Sequence, residues 1–241
     1  MLNIVIPIAG NGSRFLNAGY NNPKPFIEFH NKFMAIHVAE NIGISGAKYI
    51  FICQNSHLTN FGALFIEQLK KTHIKDFDII PLHETTEGAA CTILKVKELI
   101  NNNDELLIVN GDQLLPFEEI QKSVHFFEKK EAHAGIMCFF NQDRKWSYVT
   151  INNLRMITKI EEKNPISDHA TCGIYYLKHG KLFVDAVEKM IANNDRTNGE
   201  FYVAPALNYL ISENRIIIPY FVNEMTGLGT PEDLEYFLNN T

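Results

Sequence analysis

Two short segments near the start of the chain carry residues suited to holding polyanions. Residues 9–15 read AGNGSRF and residues 23–25 read PKP. Gly10 and Gly12 lack Cβ atoms, so backbone N–H groups beside them reach phosphate oxygens closely. Ala9, Asn11 and Ser13 complete that loop. Arg14 presents a planar fork able to take two oxygens at once. Lys24, held between Pro23 and Pro25, is a point charge on a stiffened segment. Charges fixed in this way meet developing negative charge without reorganising. The expected chemistry is the cradling and neutralisation of a chain of phosphates.

Other phosphate loops fit less well. A P-loop needs G-K-[ST] opening a helix, and the chain has none. A dinucleotide fingerprint needs G-x-G-x-x-G and an acidic residue about 20 residues on. Here Phe15 stands where the third glycine would be, and the second apolar strand ends FICQNSH without a carboxylate. The segment HETTEG, residues 83–88, begins like a zinc motif, but residue 87 is Glu rather than the second His.

Further along, LLIVNGD brings Gly111 and Asp112 to the end of an apolar run. A carboxylate there is costly unless it is paired or holds a cation, and Mg²⁺ favours one or two carboxylates plus phosphates. Residues 160–163, IEEK, place Glu162 and Lys163 at the end of another strand, just before Asn-Pro. Trp146 lies in the polar stretch DRKWSY and carries no assignment, and the histidines read as structural or exposed.

These residues need elements that gather them. Strands are expected at NIVIPIAG, KYIFICQ, FDIIPL and ELLIVNGD, the last ending in Asp112. Helices are expected between them: 34–45, then HLTNFGALFIEQLKK with Phe61, Leu64, Phe65 and Leu69 on one face, then AACTILKVKELI. Such alternation implies βαβ units and a mostly parallel sheet, with ligands at the carboxyl ends of the strands. AGNGSRF and NGD both fall at such ends. The second half changes character: AHAGIMCFF, SYVTIN, RMITKIEEK and HATCGIYYLK follow one another as strands. Helices at GKLFVDAVEKMIANN and EFYVAPALNYLIS, a strand at IIIPYFV and a closing helix TPEDLEYFLNN complete the order. Thr230 is the expected N-cap of that last helix and Pro231 its first residue.

Composition bounds the rest. The chain has 241 residues, 46% hydrophobic and 21% charged, with a formal net charge of −6. That balance argues against a broad basic face for nucleic acid. The four cysteines are far apart, each in an apolar run, with no zinc-ligand spacing, as expected for a reducing compartment. No run approaches ~18 apolar residues, so no membrane span is expected, and a cytoplasmic location follows.

Seven fragments, in order, resemble the sugar-phosphate nucleotidyltransferase family: GNGSRF with PKP, TTEGAACTIL, VNGDQ, IEEK, TCGIYYL, NGEFY and GLGTPEDL. The resemblance implies an α/β, Rossmann-like, mostly parallel sheet flanked by helices, with a small antiparallel substrate-binding addition (a GT-A-like fold). It implies one domain over 1–241, with nucleotide binding in about 1–114 and acceptor binding in about 115–241. It implies transfer of a nucleotidyl group from an NTP to a sugar 1-phosphate or related phosphorylated acceptor, for surface polysaccharide precursors, and it leaves homo-oligomerisation open. The implied catalytic residues are Arg14, Lys24 and Lys163. Ala9, Gly10, Asn11, Gly12, Ser13, Glu87, Gly88 and Gly111 would bind the nucleotide. Glu162, Gly173 and Glu200 would bind the acceptor, and Asp112 would bind Mg²⁺. One position departs from the family pattern: many members carry a metal-binding Asp two residues before the glycine of the terminal G-T, and here it is Gly227. Either Asp112 would then bind Mg²⁺ with phosphates and waters alone, or Glu224 or Glu200 would be the replacement carboxylate. Two other classes stay open, a nucleotide-sugar-dependent glycosyltransferase and a non-catalytic nucleotide sensor.

Overall fold

A computed structural model describes residues 1–240. Nine strands form its central sheet: β1 (Leu2–Ile8), β2 (Lys48–Gln54), β3 (Asp76–Leu82), β4 (Glu105–Val109), β5 (Ala134–Phe140), β6 (Ser147–Ile151), β7 (Ile157–Glu162), β8 (His169–Leu177) and β9 (Ile217–Phe221). The main path runs β7-β6-β8-β4-β1-β2-β3, with β5 alongside β8 and β9 alongside β5. Strands β3, β2, β1 and β4 are mutually parallel. β8 then runs antiparallel to β4, and β5 and β6 run antiparallel to β8. The parallel half is therefore the half of the sequence that carries the glycine loop, and the antiparallel strands extend the same sheet.

Alternation along the strands assigns side chains to two faces. Val5, Ile50, Ile52, Leu106 and Ile108 enter one core, with Ile93, Phe183, Val187 and Ala204 from helices. Ile4, Ile6, Tyr49, Phe51, Leu107 and Val109 enter the other, with Ile36, Phe65, Val124 and Phe127. Helices thus cover both faces, as continuous apolar strands require. Pro81 lies in β3, an edge strand, where a missing N–H leaves no ladder bond unmade.

Four local expectations are corrected. Leu64 is 43% exposed, and the buried stripe of its helix (Asn55–Lys70) runs through Gly62, Phe65 and Leu69. The helix expected over 89–100 breaks into Ala89–Leu94 and Lys97–Ile100, because the chain tightens into three-residue turns at Lys95 and Val96. The helix expected from Glu200 starts at Val203, because Glu200 bridges back to Thr197 across a turn, Phe201 is hydrogen-bonded to Glu87 and Ala90, and Tyr202 is extended. Strand β4 ends at Val109, which leaves Asn110, Gly111 and Asp112 in a turn. The terminal helix, Pro231–Asn240, is capped as expected: Asp233 N–H donates to Thr230 Oγ1 at 3.2 Å. Cys53, Cys138 and Cys172 are buried, Cys91 is half-buried, and all four are free. Among the described residues, no helix is long and apolar enough to cross a membrane.

Candidate active site

The carboxyl ends of β1 and β4 open into a cleft of about 560 Å³. One end begins with the loop after β1. Gly12 has φ +61°, and a Cβ there would lie 3.0 Å from Lys24 Cβ. The loop and the PKP segment are therefore pressed together, and only glycine permits it without strain. Gln54 Nε2 braces the loop by donating to Ala9 O at 3.1 Å. Buried Phe15 anchors the short helix that follows, edge-on to Tyr20. Around Gly10 nothing stands within 4 Å of a would-be Cβ, so its backbone faces open space. Ala9, Gly10, Asn11, Gly12, Ser13 and Arg14 all line the cleft, and Arg14 has no ion pair among the described residues.

Asp112 stands across from this loop. A Cβ on Gly111 would meet Ile8 Cγ2 at 2.7 Å, so the Asn-Gly-Asp turn lies against the end of β1. Asp112 Oδ2 accepts from Lys24 Nζ at 2.7 Å, with side chains 18% and 23% exposed respectively. Thr226–Gly227 pairs antiparallel with Gln113–Leu114, and Leu228 N–H donates to Asp112 O at 2.7 Å. This pairing brings the C-terminal G-T-P segment to the carboxylate. A Cβ on Gly229 would stand 3.2 Å from Asp112 Oδ2, so glycine keeps room beside it. One half-buried carboxylate with open space and phosphate-binding groups nearby suits a hard cation. Among the described residues, no group of three or more His, Cys, Asp or Glu is placed to hold one.

The other end comes from the antiparallel strands. Gly173, at φ +71°, marks an irregularity in β8; its carbonyl accepts from Asn110 N–H at 2.9 Å, and a Cβ there would meet Asn110 Nδ2 at 2.5 Å. There β4 ends and β6 takes over along β8. Glu162 is hydrogen-bonded by the Ser147 hydroxyl. Burial pushes its carboxyl pKa up, and the charge of Glu200 adds to that. Lys163 adopts left-handed backbone, φ +56°, and its N–H donates to Trp146 O at 3.0 Å. A non-glycine residue there costs about 1 kcal/mol, which the surrounding contacts offset. Its ammonium donates to Tyr202 Oη at 2.6 Å and lies 4.7 Å from that ring's centre. Glu162, Lys163, Gly173 and Glu200 all line the cleft.

Glu87 is outside it. The Glu87 carboxylate is 64% exposed and pairs with Arg196 at 2.9 Å. Gly88 lines the cleft, but the close backbone approach it permits is made by the protein itself. At φ +131°, a Cβ would lie 2.5 Å from Phe201 O, while Phe201 N–H donates to Glu87 O at 2.8 Å and Ala90 N–H to Phe201 O at 3.0 Å.

Other lining residues carry no expectation from sequence. Lys145 Nζ pairs with Asp233 Oδ1 at 2.9 Å and sits 5.0 Å from the centre of the Trp146 ring. Gly227 faces this group: a Cβ there would lie 3.1 Å from Trp146 Cη2 and 3.7 Å from Asp233 Oδ2. The second carboxylate lining the cleft near Gly227 is thus Asp233, whereas Glu224 does not line it. Gln113 Oε1 and Trp146 Nε1 are buried with no hydrogen-bond partner. The only sequence signal for Lys145 and Trp146 is an ordinary polar stretch between strands. The folding of that stretch over the terminal helix brings them to the site.

The nucleotidyl transferase family's sequence profile matches residues 4–214. Over 97% of its length the chain is 25% identical to the bifunctional protein GlmU of Methanocaldococcus jannaschii, of which it covers 52%. Over 138 residues, 55% of the chain, it is 30% identical to the mannose-1-phosphate guanyltransferase of Yarrowia lipolytica, of which it covers 36%. The chain spans about half or less of the length of these curated relatives. The crystal structure of a nucleoside-diphosphate-sugar pyrophosphorylase from Vibrio cholerae RC9 superposes with a TM-score of 0.85, at 26% identity, over 98% of this chain and 99% of that one. With the fold and the profile in agreement, the chain belongs to the nucleotidyl transferase family.

Proposed function

We propose that this protein transfers a nucleotidyl group from a nucleoside triphosphate to a phosphorylated small molecule, a sugar 1-phosphate or a related acceptor. One observation carries the reading: Lys163, from the antiparallel half, shares one cleft with Arg14 and Lys24, from the phosphate loop and the PKP segment. Two anionic substrates need cations from two sources, and one cleft supplies both.

An acceptor phosphate oxygen attacks the α-phosphorus in line. A new P–O bond forms as the bond to the β-phosphate breaks, and pyrophosphate leaves. A phosphate monoester is mostly dianionic at pH 7, with a second pKa of about 6, so no general base is needed. The difficulty is the approach of two anions, and positioning with charge neutralisation meets it. Arg14 and Lys24 would hold the departing pyrophosphate, beside backbone amides of residues 9–13. Lys163 would hold the attacking phosphate. The base would lie beyond Gly10, along Thr86 and Gly88. Glu162, Gly173 and Glu200 would face the acceptor body. Most nucleotide contacts would thus come from residues 1–114 and most acceptor contacts from 115–241. Asp112 would hold Mg²⁺, with Asp233 as the second carboxylate near Gly227; the ion would supply further neutralisation of phosphate charge. Four unpaired cysteines fit a reducing compartment such as the cytoplasm.

The test is pyrophosphate release with five NTPs against a panel of phosphorylated acceptors. Stoichiometric pyrophosphate with a nucleotide-linked product supports the reading. Release of a nucleoside diphosphate instead would mean glycosyl transfer, and binding without turnover would mean a sensor.

A further inference from the structure

The charges lining the cleft do not balance evenly along it. At the nucleotide end Asp112 is paired with Lys24, and Asp233 is paired with Lys145. At the acceptor end neither carboxylate has a basic partner within ion-pair distance among the described residues. Glu162 is hydrogen-bonded by the neutral Ser147 hydroxyl, and Lys163 is tied to the neutral hydroxyl of Tyr202. The acceptor end therefore presents two carboxylates and one ammonium.

We propose that the acceptor bears a protonated amine as well as its phosphate, and that Glu162, Glu200 and Gln113 Oε1 receive that amine. This substrate class presupposes the nucleotidyl transfer proposed above. A neutral polyol phosphate would satisfy hydrogen bonds here, but its dianionic phosphate would arrive beside two carboxylates that share one ammonium, that of Lys163. Like charges placed together oppose binding, and an ammonium on the ligand removes the conflict. It also brings three hydrogen-bond donors and no acceptors.

Gln113 points to the same ligand independently of the charges. Its side chain is 6% exposed and lines the cleft, and Oε1 has no partner. That oxygen stands 2.5 Å from where a Cβ on Gly173 would be, so it lies over the bare backbone of the irregular β8 position. A buried, unsatisfied carbonyl oxygen is costly unless a donor arrives with the ligand.

The experiment uses acceptor pairs that differ by one amine: glucosamine 1-phosphate with glucose 1-phosphate, and O-phosphoethanolamine with 2-hydroxyethyl phosphate. Each is assayed for pyrophosphate release with all five NTPs. The amino member of at least one pair is expected to show at least ~10-fold higher kcat/KM, and Glu200→Gln, at an exposed position, is expected to cut that ratio by about 10-fold. Equal use of both members of each pair, or preference for the hydroxyl members, overturns the amine while leaving nucleotidyl transfer standing. An unchanged ratio in Glu200→Gln also counts against it. Absence of pyrophosphate with every acceptor and every NTP overturns the transfer reading, and the amine with it.

Discussion

The Lys24 ammonium lies 2.7 Å from Asp112 Oδ2, across 88 residues of sequence. The two groups that sequence assigns separately, one to phosphate and one to metal, are partners in the fold. Each keeps the other from being a lone charge in a half-buried cleft. Phosphates and a divalent ion entering together would replace that pair with two new ones.

Arg14→Ala and Lys24→Ala are each expected to lower kcat/KM at least ~100-fold, about 2.7 kcal/mol. Their stabilities should differ. Arg14 has no ion pair to lose, so its variant should stay within about 0.5 kcal/mol of the parent in denaturant titration. Lys24→Ala leaves Asp112 unpaired and should unfold more easily. Full activity in either variant removes the loop from catalysis.

Asp112→Asn is expected to weaken Mn²⁺ binding, read by electron paramagnetic resonance in the presence of NTP, and to lower the rate with it. Asn is nearly isosteric but lacks the charge a hard cation wants. Asp233→Asn should weaken Mn²⁺ binding less if Asp233 is the second ligand. An unchanged titration in Asp112→Asn refutes the metal assignment.

Lys163→Met keeps the apolar stem and removes the ammonium. The acceptor KM should rise about 10-fold or more, with some loss of kcat, while NTP affinity by calorimetry stays the same. Lost NTP affinity with a normal acceptor KM would put Lys163 on the other substrate.

Glu162→Gln should stabilise the fold at neutral pH while harming acceptor use. Burial raises the folded-state pKa of this carboxyl above its unfolded value. Its contribution therefore falls as pH rises through the window between the two values, and its cost is full above the folded value. The gain in Tm should be present at pH 8 and shrink toward pH 4. A gain independent of pH would exclude ionisation as its cause.

Gly88→Ala places a Cβ 2.5 Å from Phe201 O at φ +131°. A loss of stability on the order of 2–3 kcal/mol is expected, because backbone rather than a flexible side chain must move. Unchanged Tm would mean that residues 199–202 pack less tightly than the structure has them.

The parallel half of the sheet was legible because β1, β2 and β4 are continuous apolar runs, and their alternation alone sends Val5 to one core and Ile4 and Ile6 to the other. That Gly10–Arg14 and Lys24 would share one cleft was legible because both segments sit at the carboxyl end of the parallel strands, and Gly12 lies against Lys24. Where a residue's role depends on a partner remote in sequence, local pattern is silent. Nothing near Gly88 announces that Phe201 backbone, 113 residues on, takes the space above it. Nothing in DRKWSY announces that Lys145 meets Asp233 and that Trp146 closes against Gly227. The chain's own periodicity determined which segments are strands and helices, because burial of one face is a local requirement. Which charges neutralise one another, and which are left for ligands, was decided only by tertiary structure, because Coulomb pairing acts through space and not along the sequence.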